Sequence, residues 1–346
     1  MLFYESSCDI VIIPVRDNFC LNDHFVLQHE SVGPKRGFSY FVFEQLYESC
    51  QFAKLLRLGE EFQEELAIFL KQHKDLLWLH EVLLNHFSSA SETLHALALS
   101  QDNIAASATE EGADPGLMKW GPSLNDRKRL LNLSKIAAVA GKDVDYERKT
   151  KRIEADLKIL KLQEEIVSLL SDNKEDQAIG HGLLPSRELI ELCLDGNTPE
   201  LSLRAFEVFA WTSSSFRQSN RGILEECWKS AVEHNDWGGL YEASVAEGWS
   251  DEQTLQNVSE TVLFQASRRC YGPLAETYEE GFDAVLPLRQ EDLDLQIVKD
   301  PTSSVEGILM QHKNFPDAGK LMLTAIMFGK VGVETISEDQ TCTPME

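Results

Sequence analysis

The stretch SLNDRKRLLNLSKIAAVAG, residues 123–141, decides the fold class of this 346-residue chain. Ser123, followed three residues later by Asp126, is typical of the start of a helix, and Gly141 is typical of its end. Between them, apolar residues recur at helical spacing, so residues 123–140 are predicted to form one amphipathic helix. A helical wheel places the following residues in the sector that should face a core: Leu130, Leu133, Ile136, Ala137 and Ala140.

Leu131 falls outside that sector, on the flank of the wheel where Arg127 and Lys135 lie. It is therefore predicted to be the leucine that stays exposed when the helix packs. A single exposed leucine means little, but an exposed leucine within a basic surface indicates a site for another protein.

Similar helix signals recur along the chain. Ser250 and Gln253 have the spacing of a capping box, and Thr198 followed by proline is typical of a helix start. Asp75 and Ser186 are predicted to cap two further helices. Roughly a dozen such segments follow residue 37 without any alternation typical of strands. The predicted fold is all-α: an irregular, α-solenoid-like stack of antiparallel helices with no β-propeller.

Breaks in this pattern divide the chain into four parts. Gly, Pro and acidic residues without a period occupy residues 101–121 and mark the main internal boundary. DIVIIPVR, near the start, has the composition of a strand but no evident pairing partner. The predicted parts are a weakly structured leader over 1–37, a helical stack over 38–120, a C-terminal helical stack over 121–335 that contains the partner-binding helix 123–140, and an acidic flexible tail over 336–346.

The charge balance is strongly acidic. The chain has 32 Lys and Arg against 57 Asp and Glu, a net charge of −25. Such a surface repels phosphate backbones, so binding to nucleic acid is disfavoured. Residues 126–161 differ, with eleven basic and six acidic side chains, a net charge of +5. Three interpretations of this basic patch stay open: a solvated helix face, a site for an acidic protein, or an RNA site that lacks interleaved aromatic residues.

Motifs for catalysis, metals and membranes are missing from the sequence. His80-Glu81 would begin a zinc motif, but position 84 is leucine. The seven cysteines form no C-x-x-C pair, which indicates a reducing compartment. Cys50, Cys227 and Cys270 fall in helical patterns and are predicted to pack as small apolar groups. No apolar run reaches membrane-spanning length. We predict no enzyme activity, catalytic residue, cofactor or metal ion.

Three stretches carry a resemblance to a known family. They are FVFEQLYESCQFAKLLRLGEEFQEELAIFLKQHKDLLWLHEVLL at 41–84, SSASETLHALALSQ at 88–101, and KRLLNLSKIAAVAG at 128–141. In order and spacing they resemble the C-terminal helical region of the nucleoporin 133 family. That family forms the stem of the Y-shaped outer-ring complex of the nuclear pore.

The resemblance implies a scaffold in the nuclear pore complex at the nuclear envelope that supports nucleocytoplasmic transport, including mRNA export. It implies a tail-to-tail junction with nucleoporin 107, and no small-molecule substrate or direct membrane contact. The family's N-terminal β-propeller has no counterpart here, so the chain is expected to be a fragment.

The family's junction helix matches KRLLNLSKIAA, and its leucines correspond to Leu131 and Leu133. The partner-binding residues predicted around them are Leu130, Leu131, Leu133, Arg127, Lys128 and Lys135. One alternative function stays open. The chain would then be an α-helical adaptor that binds RNA or trafficking-coat partners through the basic patch 126–161.

Overall fold

The computed structural model describes residues 5–6, 9–10, 37–100, 122–171, 182–288 and 304–332. The predicted all-α fold is confirmed: these residues form sixteen α-helices and one 3₁₀ helix at Phe282–Ala284. The α-helices are α1 (Gly37–Glu48), α2 (Phe52–Leu58), α3 (Gln63–Leu70), α4 (Lys74–Leu83), α5 (Phe87–Ala98), α6 (Leu124–Gly141), α7 (Tyr146–Ser171), α8 (Ser186–Asp195), α9 (Pro199–Trp211), α10 (Ser214–Ser219), α11 (Arg221–Glu233), α12 (Trp237–Glu247), α13 (Asp251–Ser259), α14 (Val262–Tyr271), α15 (Val305–Leu309) and α16 (Phe315–Val331).

A short strand pair lies near the start of the chain. β1 (Glu5–Ser6) and β2 (Asp9–Ile10) are antiparallel, with Glu5 opposite Ile10. The possible strand at DIVIIPVR thus has a pairing partner at its first two residues, and its other residues lie outside the described part of the chain.

The chain divides into two compact units. The first comprises residues 1–97 and 133–146, and the second comprises 98–132 and 147–346. Helix α6 contributes residues to both units. The predicted boundary loop 101–121 and the predicted tail 336–346 lie outside the described residues, and the predicted division at residue 120 stays a prediction.

The first unit has an aromatic and leucine core between α1, α2, α3 and α4. Phe43 and Phe69 pack with their ring centroids 5.6 Å apart, and Tyr47 lies against His73 at 3.9 Å. The buried core residues are Phe43, Leu46, Leu55, Leu66, Phe69, Leu70 and Leu76. Asp75 does not cap α4, because that helix begins one residue earlier with His73 at the cap position. Cys50 does not pack in the core; it is exposed beyond the end of α1.

The second unit is built around α9, which packs against α8, α11 and α14. Phe206 of α9 and Tyr271 of α14 both lie against the fully buried Trp228, with ring centroids 4.7 and 6.0 Å away. Arg217 is also fully buried. Its guanidinium donates to the carbonyls of Phe209 and Ala210 at the end of α9. A buried cation thereby satisfies helix carbonyls that have no partner within the helix.

Most predicted helix starts are confirmed. Ser250 and Gln253 form a reciprocal capping box, and Thr198 accepts a hydrogen bond from the amide of Leu201. Ser123 accepts from the amide of Asp126 at 3.2 Å and donates to the Asp126 carboxylate at 2.7 Å. Ser186 is no cap, because it is the first residue of α8 and Pro185 precedes it at the cap position.

Candidate partner-binding helix

Helix α6 buries a different strip from the one that the helical wheel predicts. Arg127, Leu131, Ser134 and Ala138 follow one another at intervals of four, three and four residues, and all four are buried. This spacing places them along a single face of the helix. Three residues that the wheel placed toward the core are exposed instead, namely Leu133, Ile136 and Ala140, whereas Ala137 is buried as predicted.

Close packing between α5 and α6 accounts for this choice of face. Ser91 of α5 and Ser134 of α6 are both buried and exchange hydrogen bonds. A Cβ placed on Gly141 would lie only 3.1 Å from the backbone nitrogen of Ser88. The short side chains of Ser134 and Ala138, together with Gly141, let the helices approach where leucine or isoleucine would not fit.

Arg127 is a structural residue and not part of an exposed rim. Its side chain is fully buried, and its Nη1 donates to the carbonyl oxygens of Ala98 and Ser100, each at 2.7 Å. Its Nε donates to the carbonyl of Pro122 at 2.9 Å. These bonds satisfy carbonyls at the end of α5 with a charged donor. The prediction that Arg127 borders a partner surface is therefore wrong.

Leu131 is 0% exposed, so the prediction that it stays exposed is also wrong. The wheel ranked positions by apolar content alone, whereas the packed face of α6 is selected by small residues and by the buried Arg127. Leu131 shares that face because it follows Arg127 by four positions. Leu130 is half-buried.

Three apolar side chains of α6 remain on the surface of the first unit. Leu133 is 42% exposed, Ile136 65% and Val139 51%. We call these three residues the α6 apolar strip. They recur every three residues and therefore run along one side of the helix. The helical wheel placed Ile136 in the core and did not select Val139, whereas Leu133 fell in the core sector of the wheel and was also predicted from the resemblance to bind the partner. The small residues Ser134, Ala138 and Gly141 recur along the opposite face, and this pattern could have predicted that the opposite face is the one that packs closely.

The remaining predicted basic residues take separate roles. Lys128 forms a salt bridge with Glu164 of α7 at 2.7 Å, and both side chains are partly buried. Lys135 is half-buried on α6. Arg129 is exposed and pairs with Asp126 at 3.3 Å. Lys128 thus stabilises the packing of α6 on α7, and its ammonium group is already occupied.

The described residues give little support for metal binding or catalysis. There, no group of three or more His, Cys, Asp or Glu side chains could hold a metal ion. His80 is buried, and a Cβ on Gly59 would lie 2.6 Å from its ring, so it fills a core position. Burial raises the pKa of Cys193 to about 12, which leaves it protonated and unreactive. No described helix has the length and apolar character to span a membrane.

Comparison with known proteins identifies the family. Residues 35–191, which include α6, match the family described as non-repetitive/WGA-negative nucleoporin, C-terminal. The chain is 56% identical over 321 residues to nuclear pore complex protein NUP133 of Arabidopsis thaliana, covering 92% of the chain and 24% of that protein. This chain belongs to the nucleoporin 133 family.

More distant members of the nucleoporin 133 family match as well. The mouse nuclear pore complex protein Nup133 is 25% identical over 242 residues, covering 68% of this chain and 19% of its own length. The protein of the same name in Drosophila melanogaster is 22% identical over 202 residues, covering 55% of this chain and 15% of its own length. All three relatives are nuclear pore complex proteins by name, in agreement with the location predicted from the resemblance. The chain spans about a quarter or less of the length of each.

Proposed function

We propose that this chain is a scaffold segment of the outer ring of the nuclear pore complex, and that the α6 apolar strip joins it to a neighbouring nucleoporin. Family membership supports the scaffold role. The observation that carries the junction is the exposure of Leu133, Ile136 and Val139 on one side of a helix whose other side is firmly packed.

The partner we propose is nucleoporin 107, joined tail to tail as the family resemblance implies. A partner helix laid along the strip would remove three large apolar side chains from water. Full burial of one such side chain stabilises a complex by about 1.5–3 kcal/mol, so these partly exposed residues contribute less than that each. A stable interface buries about 800 Å² on each partner, so the strip would form only its centre.

Leu130 and Lys135 are kept in this proposal as residues bordering the strip, because each is half-buried and lies three or four positions from a residue of the strip. Leu131 and Arg127 are left out because they are fully buried, and Lys128 is left out because it is five positions from Leu133, the nearest residue of the strip. A joint of this kind requires neither cofactor nor substrate. It would support nucleocytoplasmic transport, including mRNA export, by holding the ring together.

The test is calorimetric titration with the C-terminal region of nucleoporin 107, using Ile136→Glu. A charge in the desolvated centre of the interface is expected to lower affinity at least about thirtyfold. The melting temperature should stay unchanged because Ile136 is exposed. Val245→Glu on α12 is the matched control, since Val245 is also 65% exposed. It should bind like the unmodified chain.

Two outcomes would contradict the proposal in different ways. If the unmodified chain fails to bind nucleoporin 107, the partner is wrong. If Ile136→Glu and Val245→Glu both bind normally, the partner is right and the α6 apolar strip is not the joint. Leu131→Glu serves as an internal check: it is expected to unfold the helix packing, because it would bury an unpaired carboxylate.

A further inference from the structure

A second surface combines basic and aromatic side chains at the beginning of α7. Arg148, Lys151, Arg152 and Lys158 of α7 are exposed. In a chain of net charge −25, four exposed cations within three helical turns are a strong local contrast. This surface shares no residue with the α6 apolar strip.

Two aromatic residues from distant parts of the sequence lie beside these cations. The Nζ of Lys158 is 5.2 Å from the centroid of the Trp211 ring, at the end of α9. The amide of Tyr278 donates to the carbonyl of Ala210 at 2.8 Å, which places Tyr278 next to Trp211. Both rings are half-buried, so each offers an apolar edge.

Arg148 and Arg152 are four residues apart and therefore lie on the same side of α7. Burial raises the pKa of Tyr278 and the charge of Glu279 raises it further, whereas the positive charges of Arg152 and Arg148 act in the opposite direction. We call Arg148, Arg152, Lys158, Trp211 and Tyr278 the α7 basic–aromatic surface.

We propose that the α7 basic–aromatic surface binds an acidic segment of a protein partner. Guanidinium groups match carboxylates in charge and in geometry, because one arginine can donate two parallel hydrogen bonds to one carboxylate. The two ring edges then contact apolar side chains between the acidic residues of the segment. Charge complementarity also speeds the encounter with an acidic chain.

Single-stranded RNA fits this surface less well. Stacking requires an open ring face, and Lys158 already lies over the face of Trp211. Asp156 and Glu279 are near enough to Tyr278 to raise its pKa, so negative charge borders the arginines. An RNA strand brings one phosphate for every nucleotide and would meet these carboxylates. An acidic peptide can have apolar residues between its carboxylates, so it need not bring a negative charge to every position.

The experiment uses the whole 346-residue chain and a fluorescein-labelled decapeptide of alternating glutamate and valine as the probe, with fluorescence anisotropy as the readout. Arg148→Gln/Arg152→Gln is expected to weaken binding about tenfold, the size expected for the loss of two exposed ion pairs. Lys313→Gln/Lys320→Gln removes the same charge from exposed positions of the same unit and is the matched control. It should change affinity less than about twofold, because exposed charges that make no direct contact with the peptide are largely screened by salt.

Four results would overturn the proposal. They are no binding of the glutamate–valine peptide by the unmodified chain at about 50 mM salt, an equal loss in the control variant, tighter binding of a uridine decamer than of that peptide, and self-association that the arginine variant abolishes. The third would identify an RNA site and the fourth a contact between two copies. If the arginine variant melts lower than the unmodified chain, Lys151→Gln/Lys158→Gln replaces it with the same expected loss.

Discussion

Ser91 and Ser134 bind each other twice across the contact between α5 and α6. The Ser91 hydroxyl donates to the carbonyl oxygen of Ser134 at 2.9 Å, and the Ser134 hydroxyl donates to the carbonyl oxygen of Ser91 at 2.7 Å. Both side chains are buried. A pair of small hydroxyls thus holds two helix backbones close together, and this contact determines which side of α6 stays exposed.

Ser134→Leu is expected to destabilise the chain by about 2 kcal/mol or more. The larger side chain would overpack the contact, and the hydrogen bond to the Ser91 carbonyl would be lost. The free energy of unfolding, measured by urea titration, checks this. Ser168→Leu is the control, because Ser168 is exposed on α7 and its replacement should cost less than about 0.5 kcal/mol. Equal stability of the two variants would show that the serine contact is not close-packed.

Arg127→Gln tests whether the buried guanidinium stabilises the end of α5. The variant would leave the carbonyls of Ala98 and Ser100 without their charged donor. We expect a loss of about 2–4 kcal/mol in the free energy of unfolding, since hydrogen bonds to charged groups are strong and buried unpaired carbonyls are costly.

Arg129→Gln provides the comparison for Arg127→Gln. Arg129 lies two residues further along α6, and its side chain is 76% exposed. Its exposed pair with Asp126 contributes less than about 1 kcal/mol. If both arginine variants unfold at the same urea concentration, Arg127 does not act as a buried tie.

The cysteines are expected to differ widely in reactivity. Burial raises the pKa of Cys193 to about 12, and it raises the pKa values of Cys227 and Cys270 as well. At pH 8 a thiol of pKa 12 has about a thousandfold less thiolate than an ordinary thiol of pKa near 8.5. Iodoacetamide labelling of the folded chain, read by peptide mass spectrometry, should modify the exposed Cys50 and spare these three.

Labelling in urea is the control for the cysteine prediction, because unfolding exposes every thiol equally. All three buried cysteines should then react at the rate of Cys50. Rapid labelling of Cys193 in the folded chain would contradict its place in the core and would reopen a chemical role for it.

Acid is expected to destabilise the first unit through His80. Burial lowers the pKa of His80, while the charge of Glu81 raises it and that of His86 lowers it slightly. Below about pH 6.5 the unfolded chain takes up a proton that folded His80 does not. The stability that neutral His80 contributes should therefore be fully present above pH 6.5. At lower pH the free energy of unfolding should fall, by at most about 1.4 kcal/mol per pH unit from this group.

His80→Gln should reduce that dependence on pH, because glutamine does not titrate. Some dependence should remain, since burial also lowers the pKa values of His234 and His312 in the second unit. Urea titrations at several pH values between 5 and 7.5 measure the effect, with His95→Gln of α5 as the control. If the free energy of unfolding of His80→Gln depends on pH as steeply as that of the unmodified chain, then His80 takes up its proton over the same pH range in the folded and the unfolded chain.

Local structure followed from local residues. Helix α6 begins and ends within one residue of its predicted bounds, because Ser123 and Gly141 act on the backbone next to them. The capping box at Ser250 and the cap at Thr198 were predictable for the same reason. Asp75 failed as a cap because α4 begins one residue before it, so that His73 is at the cap position and Asp75 lies in the first turn.

The candidate surfaces could not be predicted in the same way. Leu131 and Leu133 are two positions apart on one helix, and apolar content does not distinguish them. The choice between them depends on Ser91, more than forty positions away in sequence, and on the carbonyls that Arg127 reaches. Likewise, residues 148–158 show basic charge in the sequence, but Trp211 and Tyr278 reach them only through the fold.

Residue order was enough to predict the helical fold class, the bounds of α6 and the nucleoporin 133 family, because these depend on the order of residues and on interactions within a few positions. Contacts between distant segments select the buried face of α6 and the aromatic rings that lie beside the cations of α7. Those outcomes depend on how closely helices from distant parts of the chain can approach. Steric fit and buried hydrogen bonds set that distance, and both involve pairs of residues that a one-dimensional pattern does not bring together.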